Sequence, residues 1–162
     1  MSSKIIRDWL VPQKYKPSLA SVYPYKGVQQ KCKTLVARTK YFPISQTNFS
    51  IDEHKGNSNT YWKALQNGPI VVRVAADTKY WQYYVKGTIN DTRCFENGKL
   101  NHAVVIVGHS IDEAYNLAYW LVRNSWGTGW GDEGYAKIAI NDYGNGICGE
   151  MVMGWNVTMQ KF

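Results

Sequence analysis

The chain has 162 residues, of which 44% are hydrophobic and 14% aromatic, and its formal net charge is +7 at pH 7. This length fits one globular domain, and seven tryptophans and twelve tyrosines supply apolar surface for a core, so a disordered or collagen-like chain is excluded. No stretch reaches the ~18 apolar residues of a membrane-spanning helix. The three cysteines cannot all pair within one chain.

The positive charge is concentrated in the N-terminal quarter. Residues 1–40 hold nine Lys and Arg and one acid, Asp8, whereas the other 122 residues hold ten basic and eleven acidic side chains. A basic arm is one way to bind nucleic acid or an acidic membrane surface. Because the basic residues come singly, between Pro12, Pro17, Pro24 and aromatic residues, an exposed face or one docked on an acidic partner is favoured over nucleic acid.

The first third of the chain predicts little regular structure. Residues 4–11 predict a short helix closed by Pro12, and the stretch to about residue 57 predicts loops with strand-like pieces at 34–37 and 41–44. Residues 58–67 predict a better helix, with a polar cap at its start and an Asn-Gly-Pro stop at 67–69.

The pattern then changes to strands. Residues 69–76, 103–107 and 119–123 are rich in β-branched side chains, and residues 134–140 alternate strictly between apolar and polar. Short strands with glycine-rich connections and no intervening helices predict an antiparallel sheet closed into a small barrel. No internal repeat or second domain is evident.

Two segments of this strand-rich part carry candidate chemistry. His102 begins the apolar strand His-Ala-Val-Val-Ile-Val, and a strand holds an imidazole rigidly, which suits a general base. Residues 123–131, Arg-Asn-Ser-Trp-Gly-Thr-Gly-Trp-Gly, end a strand at Asn124 and then interleave glycines with Trp126 and Trp130. Taken singly, a histidine at a strand end is more often structural, and a Gly-Trp-Gly segment is most often a turn.

In combination, these motifs closely resemble the papain family of cysteine peptidases, in particular its cathepsin L-like members. The family's C-terminal barrel carries Asn-His-Ala, then Asn-Ser-Trp-Gly, Gly-Trp-Gly and Gly-Tyr in this order and at this spacing. The resemblance extends upstream through residues 68–69 and 23–32 and downstream to residues 148–149. It implies an α+β, papain-like fold, truncated at its N-terminus. Residues 1–57 would be the remnant of the helical domain with crossover loops, and residues 58–162 the antiparallel β-barrel domain.

The resemblance also assigns roles to residues. His102 matches the general base of a Cys-His-Asn triad, and Asn124 matches the residue that orients its imidazole. Trp126 would shield the bond between them from water, and Trp130 would offer a ring face to the leaving-group side of the substrate. The remaining assignments are a substrate pocket formed by Asn101 and Arg73, a disulfide between Cys94 and Cys148, and a half-cystine at Cys32 whose partner lies in the missing segment.

The family's nucleophile is absent from its usual place. In the family the catalytic Cys lies near the mature N-terminus, with His and Asn ~130–150 residues downstream, whereas 101 residues precede His102 here. The nucleophile is therefore expected before Met1, and the chain alone is expected to be inactive. Cys32 lies between Lys31 and Lys33, which favour its thiolate. It lacks a following helix, however, so it is not favoured as a replacement.

Two functional hypotheses follow. The chain is either most of a papain-like cysteine peptidase present without its nucleophile segment, or a catalytically inactive module retained for binding or assembly. The first implies a peptide or protein substrate, and the second implies a protein partner over an apolar face near residues 1–12 and His102. No cofactor is implied, and the scattered histidines show no metal-site spacing, so His54 and His109 are expected to be loop or strand-end residues.

The compartment is not indicated by the residues themselves. Charges in the first ten residues interrupt the apolar stretch of ~7–15 residues that a signal peptide needs. Lysosomal or secreted residence is implied only by the family. Three Asn-X-Ser/Thr sequons, at Asn48, Asn90 and Asn156, would be used only in the secretory pathway.

Overall fold

A computed structural model describes residues 21–24, 26, 28–31, 49–142 and 144–159. The chain divides into two compact units, residues 1–50 with 159–162, and residues 51–158. The predicted helix at 4–11, the predicted strands at 34–37 and 41–44, the apolar patch expected near residues 1–12 and Cys32 all lie outside the described residues. The elements below belong mainly to the larger unit.

The described elements form one sheet flanked by short helices. The strands follow the order β1-β7-β2-β4-β5-β6-β3 across this seven-stranded sheet. The elements in chain order are β1 (Phe49–His54), α1 (Ser58–Leu65), β2 (Ile70–Val74), α2 (Lys79–Gln82), β3 (Thr88–Ile89), a 3-10 helix (Thr92–Phe95), β4 (His102–Asp112), β5 (Leu117–Arg123), β6 (Tyr135–Ala139) and β7 (Gly154–Met159).

The sequence predicted the centre of this sheet and misjudged its edges. β2, β4, β5 and β6 occupy the four predicted strand segments. The expectation of loops up to residue 57 is wrong for β1, and that of no intervening helices is wrong for α2 and the 3-10 helix. The sheet is also not purely antiparallel, because β3 pairs with β6 in parallel. A strand of two residues, such as β3, is too short to show any periodicity.

Helix α1 forms where the cap and the stop predicted it. The Asn57 side chain accepts a hydrogen bond from the Thr60 amide at 3.0 Å and so caps the first turn. Tyr61 and Ala64, one turn apart, are buried. The helix ends at Leu65, and Gly68 follows with a φ of +140°, a conformation that L side chains rarely adopt. The predicted helix is therefore confirmed, and it ends two residues before Asn67.

The core lies on one face of the central strands. Along β2, Ile70, Val72 and Val74 are buried while the residues between them are exposed. β2 pairs with β4 in antiparallel register, from Ile70 opposite Ile106 to Val74 opposite His102. Period-two burial of this kind fixes the register, because a one-residue slip would turn every apolar side chain to the other face. The register therefore fixes the position of His102 at the start of β4.

A β-bulge shifts the face that the second half of β4 presents. Ile106 lies opposite Val122, but Gly108 lies opposite Leu121, so Val107 is an extra residue in β4. After this bulge His109 lies opposite Trp120 of β5. His109 therefore lies in the middle of a paired strand, and the expectation of a loop or strand-end residue is wrong for it. His54 is the last residue of β1, as expected.

A disulfide crosslinks two buried residues of the core. Cys94 of the 3-10 helix and Cys148, both fully buried, are bonded across 54 residues of sequence, as the family resemblance implies. In the chain-entropy account, closing a loop of this length stabilises the fold by about 4 kcal/mol. The neighbouring Glu150 is also fully buried, and its carboxylate accepts hydrogen bonds from the amides of Ile147 and Cys148. Among the described residues, no helix is both long enough and apolar enough to cross a membrane.

Candidate active site

His102 and Asn124 meet where two neighbouring strands end. His102 is the first residue of β4 and half-buried, and Asn124 directly follows β5 and is 8% exposed. The His102 Nε2 lies 2.8 Å from the Asn124 Oδ1. Because an amide oxygen only accepts, Nε2 is the protonated donor, and in the neutral ring Nδ1 is then the free base. The pair thus holds the imidazole in one tautomer.

The Asn124 side chain is itself held by its surroundings. Its Oδ1 also accepts a hydrogen bond from the Ser125 amide at 2.7 Å. Its backbone amide donates to the Gly134 carbonyl at 2.9 Å, which ties the residue to the chain just before β6. The Asn124 Nδ2 is buried and has no hydrogen-bond partner among the described residues. The orientation of the Oδ1 toward His102 is therefore fixed from two sides.

Aromatic rings cover one side of this pair. The Trp126 ring lies 5.0 Å from the His102 ring, centroid to centroid, and Trp126 remains 44% exposed. Trp130 lies 5.6 Å from Trp126, nearly perpendicular to it. An apolar cover of this kind excludes water and strengthens the hydrogen bond beneath it. The extended apolar patch expected near residues 1–12 and around His102 stays a prediction.

Trp81, which was not predicted from the sequence, packs against His102 and Trp130. It lies in α2, is fully buried, and presents an edge to the His102 ring at 6.4 Å. Its ring is 5.1 Å from that of Trp130, and its carbonyl accepts a hydrogen bond from the Trp130 Nε1 at 3.1 Å. The only sequence signal was the aromatic run Tyr-Trp-Gln-Tyr-Tyr at 80–84. A helix of four residues shows no periodicity that would have distinguished Trp81 within it.

Tyr84 completes the cluster of rings. Its ring lies 5.6 Å from that of Trp130, and its hydroxyl donates to the Gly87 carbonyl at 2.6 Å. Burial raises the pKa of Tyr84 above its ordinary value, so the phenol stays protonated as a donor. Gly131, with a φ of +64°, lets the backbone pass close by, because a Cβ there would lie 3.1 Å from the Tyr84 ring and 2.5 Å from the Tyr135 carbonyl. The bend that places Trp130 on Tyr84 therefore requires glycine.

Asn101 directly precedes β4 and Arg73 lies on β2, and both side chains are anchored to the backbone. The Asn101 Oδ1 accepts a hydrogen bond from the Ala76 amide at 2.8 Å. Arg73, on the exposed face of β2, donates to the Leu100 carbonyl at 2.5 Å. Both side chains are exposed and adjoin the start of β4. Among the described residues, no hydrogen bond or ion pair joins either side chain to Trp126 or Trp130, so their predicted role in a pocket stays a prediction.

The chemistry available here is proton transfer. The described residues include no group of three or more side chains that could hold a metal ion. Neither Cys94 nor Cys148 offers a thiol, because they are bonded to each other. What the geometry provides is an oriented imidazole with a free nitrogen beside an exposed tryptophan. A histidine whose other ring nitrogen is held by an asparagine oxygen is the arrangement of Cys-His-Asn triads.

The fold and the hydrogen-bonded pair of His102 and Asn124 define a papain-like protein. Comparison with known proteins gives its family. The model of the papain family cysteine protease matches residues 9–155. This match covers most of the chain, so the chain belongs to the papain family of cysteine proteases.

Individual relatives agree with this assignment. Cathepsin L of Sarcophaga peregrina is 37% identical over 131 residues, which are 78% of this chain and 35% of that protein. Cathepsin O of Mus musculus is 37% identical over 147 residues, which are 87% of this chain and 42% of that protein. The structure of the bromelain protease from Ananas comosus matches with a TM-score of 0.75 at 28% identity, covering 94% of this chain and 67% of that one. The chain thus spans less than half the length of these two curated relatives.

Proposed function

We propose that this chain supplies the acid–base part of a cysteine peptidase that hydrolyses peptide bonds. The observation that carries the proposal is the 2.8 Å hydrogen bond from the His102 Nε2 to the Asn124 Oδ1. It leaves the Nδ1 of His102 as the atom that exchanges protons with a thiol and a substrate. Asn124 is a positioning residue, and Trp126 keeps water from the bond between the two side chains.

The reaction proceeds in two steps, formation of a thioester with the enzyme and hydrolysis of that thioester. A cysteine thiolate attacks the peptide carbonyl carbon, the C–N bond breaks, and His102 Nδ1–H gives its proton to the leaving amine. His102 Nδ1 then takes a proton from water as that water attacks the thioester. The carboxylic acid leaves, and the thiolate returns for the next cycle, paired with the protonated imidazole.

The thiolate comes from a segment outside these 162 residues. The chain contains Cys32, Cys94 and Cys148, and the disulfide removes the last two. Cys32 resembles a half-cystine of the family, so it is assigned to a second disulfide with that segment. We further propose that residues 1–57 belong to the helical domain and residues 58–162 to the barrel domain.

Substrate contacts are proposed at four exposed or half-buried side chains. Trp130, braced by Trp81, offers a ring face to the leaving-group side of the scissile bond. Trp126 contributes to the same wall. Asn101 and Arg73 line the pocket for the second residue before that bond. A cation in that pocket favours substrates with an acidic or polar side chain at this position, because the field of Arg73 attracts negative charge.

The test joins this chain to a nucleophile-bearing segment. The segment is the one encoded upstream in the transcript or, as a substitute, that of a papain-family relative, with a matched control in which its catalytic Cys is replaced by Ser. We expect thiol-dependent hydrolysis of a fluorogenic peptide amide by the joined protein, covalent labelling of its nucleophile by a thiol-directed epoxide, and neither with the Ser control.

A folded joined protein that neither turns over the peptide nor reacts with the epoxide would overturn the proposal. Folding is verified independently by mass spectrometry of the linked Cys94 and Cys148 peptides. The alternative, a catalytically inactive module retained for binding or assembly, corresponds to that negative result.

A further inference from the structure

Two of the three sequons fall within the described residues, and their asparagines differ in environment. Asn156, in β7, is 2% exposed. Its Oδ1 lies 2.6 Å from the His54 Nε2, and its Nδ2 donates to the Ala64 carbonyl at 3.3 Å. A sugar on that Nδ2 would break the hydrogen bond to α1 and would have to be buried in the core. The folded protein therefore has no room for a glycan at Asn156.

Asn90 is placed in the opposite way. It directly follows β3 and precedes the 3-10 helix, its side chain is exposed, and Thr92 of the same sequon is exposed as well. The Asp91 side chain between them turns away to cap the 3-10 helix, accepting a hydrogen bond from the Arg93 amide at 3.0 Å. No hydrogen bond of the described residues engages the Asn90 amide, so its Nδ2 is available for substitution without loss of a contact.

The surface beside Asn90 is concave and partly aromatic. A depression of about 390 Å³ is lined by Asn90 together with Tyr80, Tyr84, Lys86, Thr88 and Asp91. This volume lies within the ~300–1,000 Å³ usual for small-molecule sites. It offers the first sugar the partly exposed Tyr80 ring and several polar groups on the protein surface. A glycan at Asn90 thus has room beside the protein as well as an exposed attachment atom.

The disulfide indicates the compartment that such a modification needs. Structural disulfides form and persist in oxidising compartments such as the endoplasmic reticulum and the extracellular space. Cys94, four residues after Asn90, is bonded to Cys148. The same short segment therefore carries an accessible sequon and a mark of the secretory route on which sequons are used.

We propose that Asn90 is an N-glycosylation site of this protein and that Asn156 is not. The donor is an oligosaccharide linked through N-acetylglucosamine to a polyprenyl diphosphate. The C1–O bond to the diphosphate breaks, a C1–N bond forms to the Asn90 Nδ2, that nitrogen loses one proton, and the lipid diphosphate leaves. The reaction changes no oxidation state and is catalysed by the transferase of the secretory pathway.

The experiment expresses the full chain behind a secretory leader in a eukaryotic host. Glycans are removed in ¹⁸O-water with an amidase that converts each glycosylated Asn to labelled Asp, and the peptides are identified by mass spectrometry. We expect the label at Asn90 in the wild type, its loss in Asn90→Gln and Thr92→Ala, and its retention in Thr92→Ser, which keeps the sequon. Thr158→Val, which removes the Asn156 sequon, is the matched control and should leave the Asn90 label unchanged.

Because the label is assigned peptide by peptide, a glycan at the Asn48 sequon does not affect the results for Asn90 and Asn156. Secreted protein with the Cys94–Cys148 peptides linked and an unlabelled Asn90 would overturn the proposal. So would a label at Asn156 in that same folded protein, because the argument rests on the contrast in burial between the two asparagines. Catalytic turnover does not enter this test, so its outcome is independent of the proposed peptidase activity.

Discussion

One strand carries two histidines, and their surroundings differ in kind. His102, at the start of β4, has an amide oxygen at 2.8 Å and an exposed tryptophan beside it. His109, seven residues further along, is stacked on the Trp62 ring at 4.2 Å and lies edge-on to Trp120. A ring fixed by one hydrogen bond keeps its other nitrogen ready for proton transfer, whereas a ring fixed by stacking serves packing. Residue type alone does not distinguish the two, but the partner does.

The bulge in β4 explains why His109 came to face a packed surface. In an unbroken strand, residues an odd number apart point to opposite faces of the sheet, and His102 and His109 are seven apart. The extra residue at Val107 turns His109 to the same face of the sheet as His102, so that His109 lies beside the buried Trp120. Gly108 at the end of the segment Val-Val-Ile-Val-Gly is a residue that can mark a bulge. The predicted strand ended at residue 107, however, so sequence reasoning did not assign His109 to this face.

The largest expected effect separates the two histidines by function. In the peptidase completed with its nucleophile segment, His102→Gln should lower kcat/KM by about 10²–10⁴-fold, because general acid–base catalysis is lost. His109→Gln should leave kcat/KM within about twofold and act on stability alone. Both variants are assayed on the same fluorogenic peptide. Equal losses in the two would remove the distinction drawn between them.

Glu150 is a fully buried acid that has no histidine partner. Burial raises the pKa of Glu150 from 4.5 to about 7. Because the native state then holds this proton more tightly than the unfolded state, the contribution of Glu150 is full below pH 4.5 and is lost as pH rises through about 7. The free energy of unfolding should fall by about 3 kcal/mol over that interval.

The measurement is urea unfolding of the chain between about pH 5 and about pH 8, with Glu150→Gln as the control. The variant keeps an oxygen for one of the two amides but cannot ionise, so the difference between the wild type and the variant isolates this group. A difference that stays constant with pH, or that favours the wild type increasingly at high pH, would contradict the assignment.

The third prediction concerns the positioning of His102. Asn124→Ala should lower kcat/KM by about 10²-fold, the cost of a misplaced catalytic group, mainly through kcat. Asn124→Asp retains an oxygen acceptor for the His102 Nε2 and should recover part of kcat. If the loss lay in KM alone, or if Asp rescued nothing, Asn124 would be a structural residue and not an orienting one.

The smallest effect tests the stacking at His109. Trp62→Ala removes a ring that is 47% exposed and lies at 26° to the imidazole. We expect a loss of about 0.5–1.5 kcal/mol in the free energy of unfolding beyond the loss of burial, and no change in kcat/KM. A double-mutant cycle with His109→Ala separates the coupling from burial, and a coupling near zero would show that the stacking is incidental.

The sequence predicted the elements that have long periodic patterns and the site residues that lie in recognisable motifs. Helix α1 was predicted from its cap and stop, and the central strands from their runs of β-branched residues. His102 and Asn124 were assigned from the resemblance of the motifs around them to the papain family, and the structure brings them together. Their distance in the fold follows from the register of β4 on β5, which pairs Val105 with Arg123, the residue before Asn124.

The features that were not predicted are a very short helix, a bulge within a strand and a buried acid. Trp81 lies in a helix of four residues, which carries no periodicity. Glu150 follows a cysteine and a glycine near the chain end, and an isolated acid is expected at the surface because burying its charge is costly. Its burial depends on two backbone amides that face it only after the turn at residues 145–149 has formed. Such contacts arise from tertiary structure and leave no local signal.

The disulfide has one more consequence, which concerns proteolysis of the chain itself. His102, Asn124, Trp126 and Trp130 all lie between Cys94 and Cys148 along the chain. A single backbone cut anywhere inside this loop, for example in the exposed hairpin turn at residues 113–116, leaves both pieces covalently joined. The pair at the strand ends then stays in one molecule, held by the sheet and by one sulfur–sulfur bond. A single nick in this turn therefore does not release His102 from Asn124, although the cut falls between them along the chain.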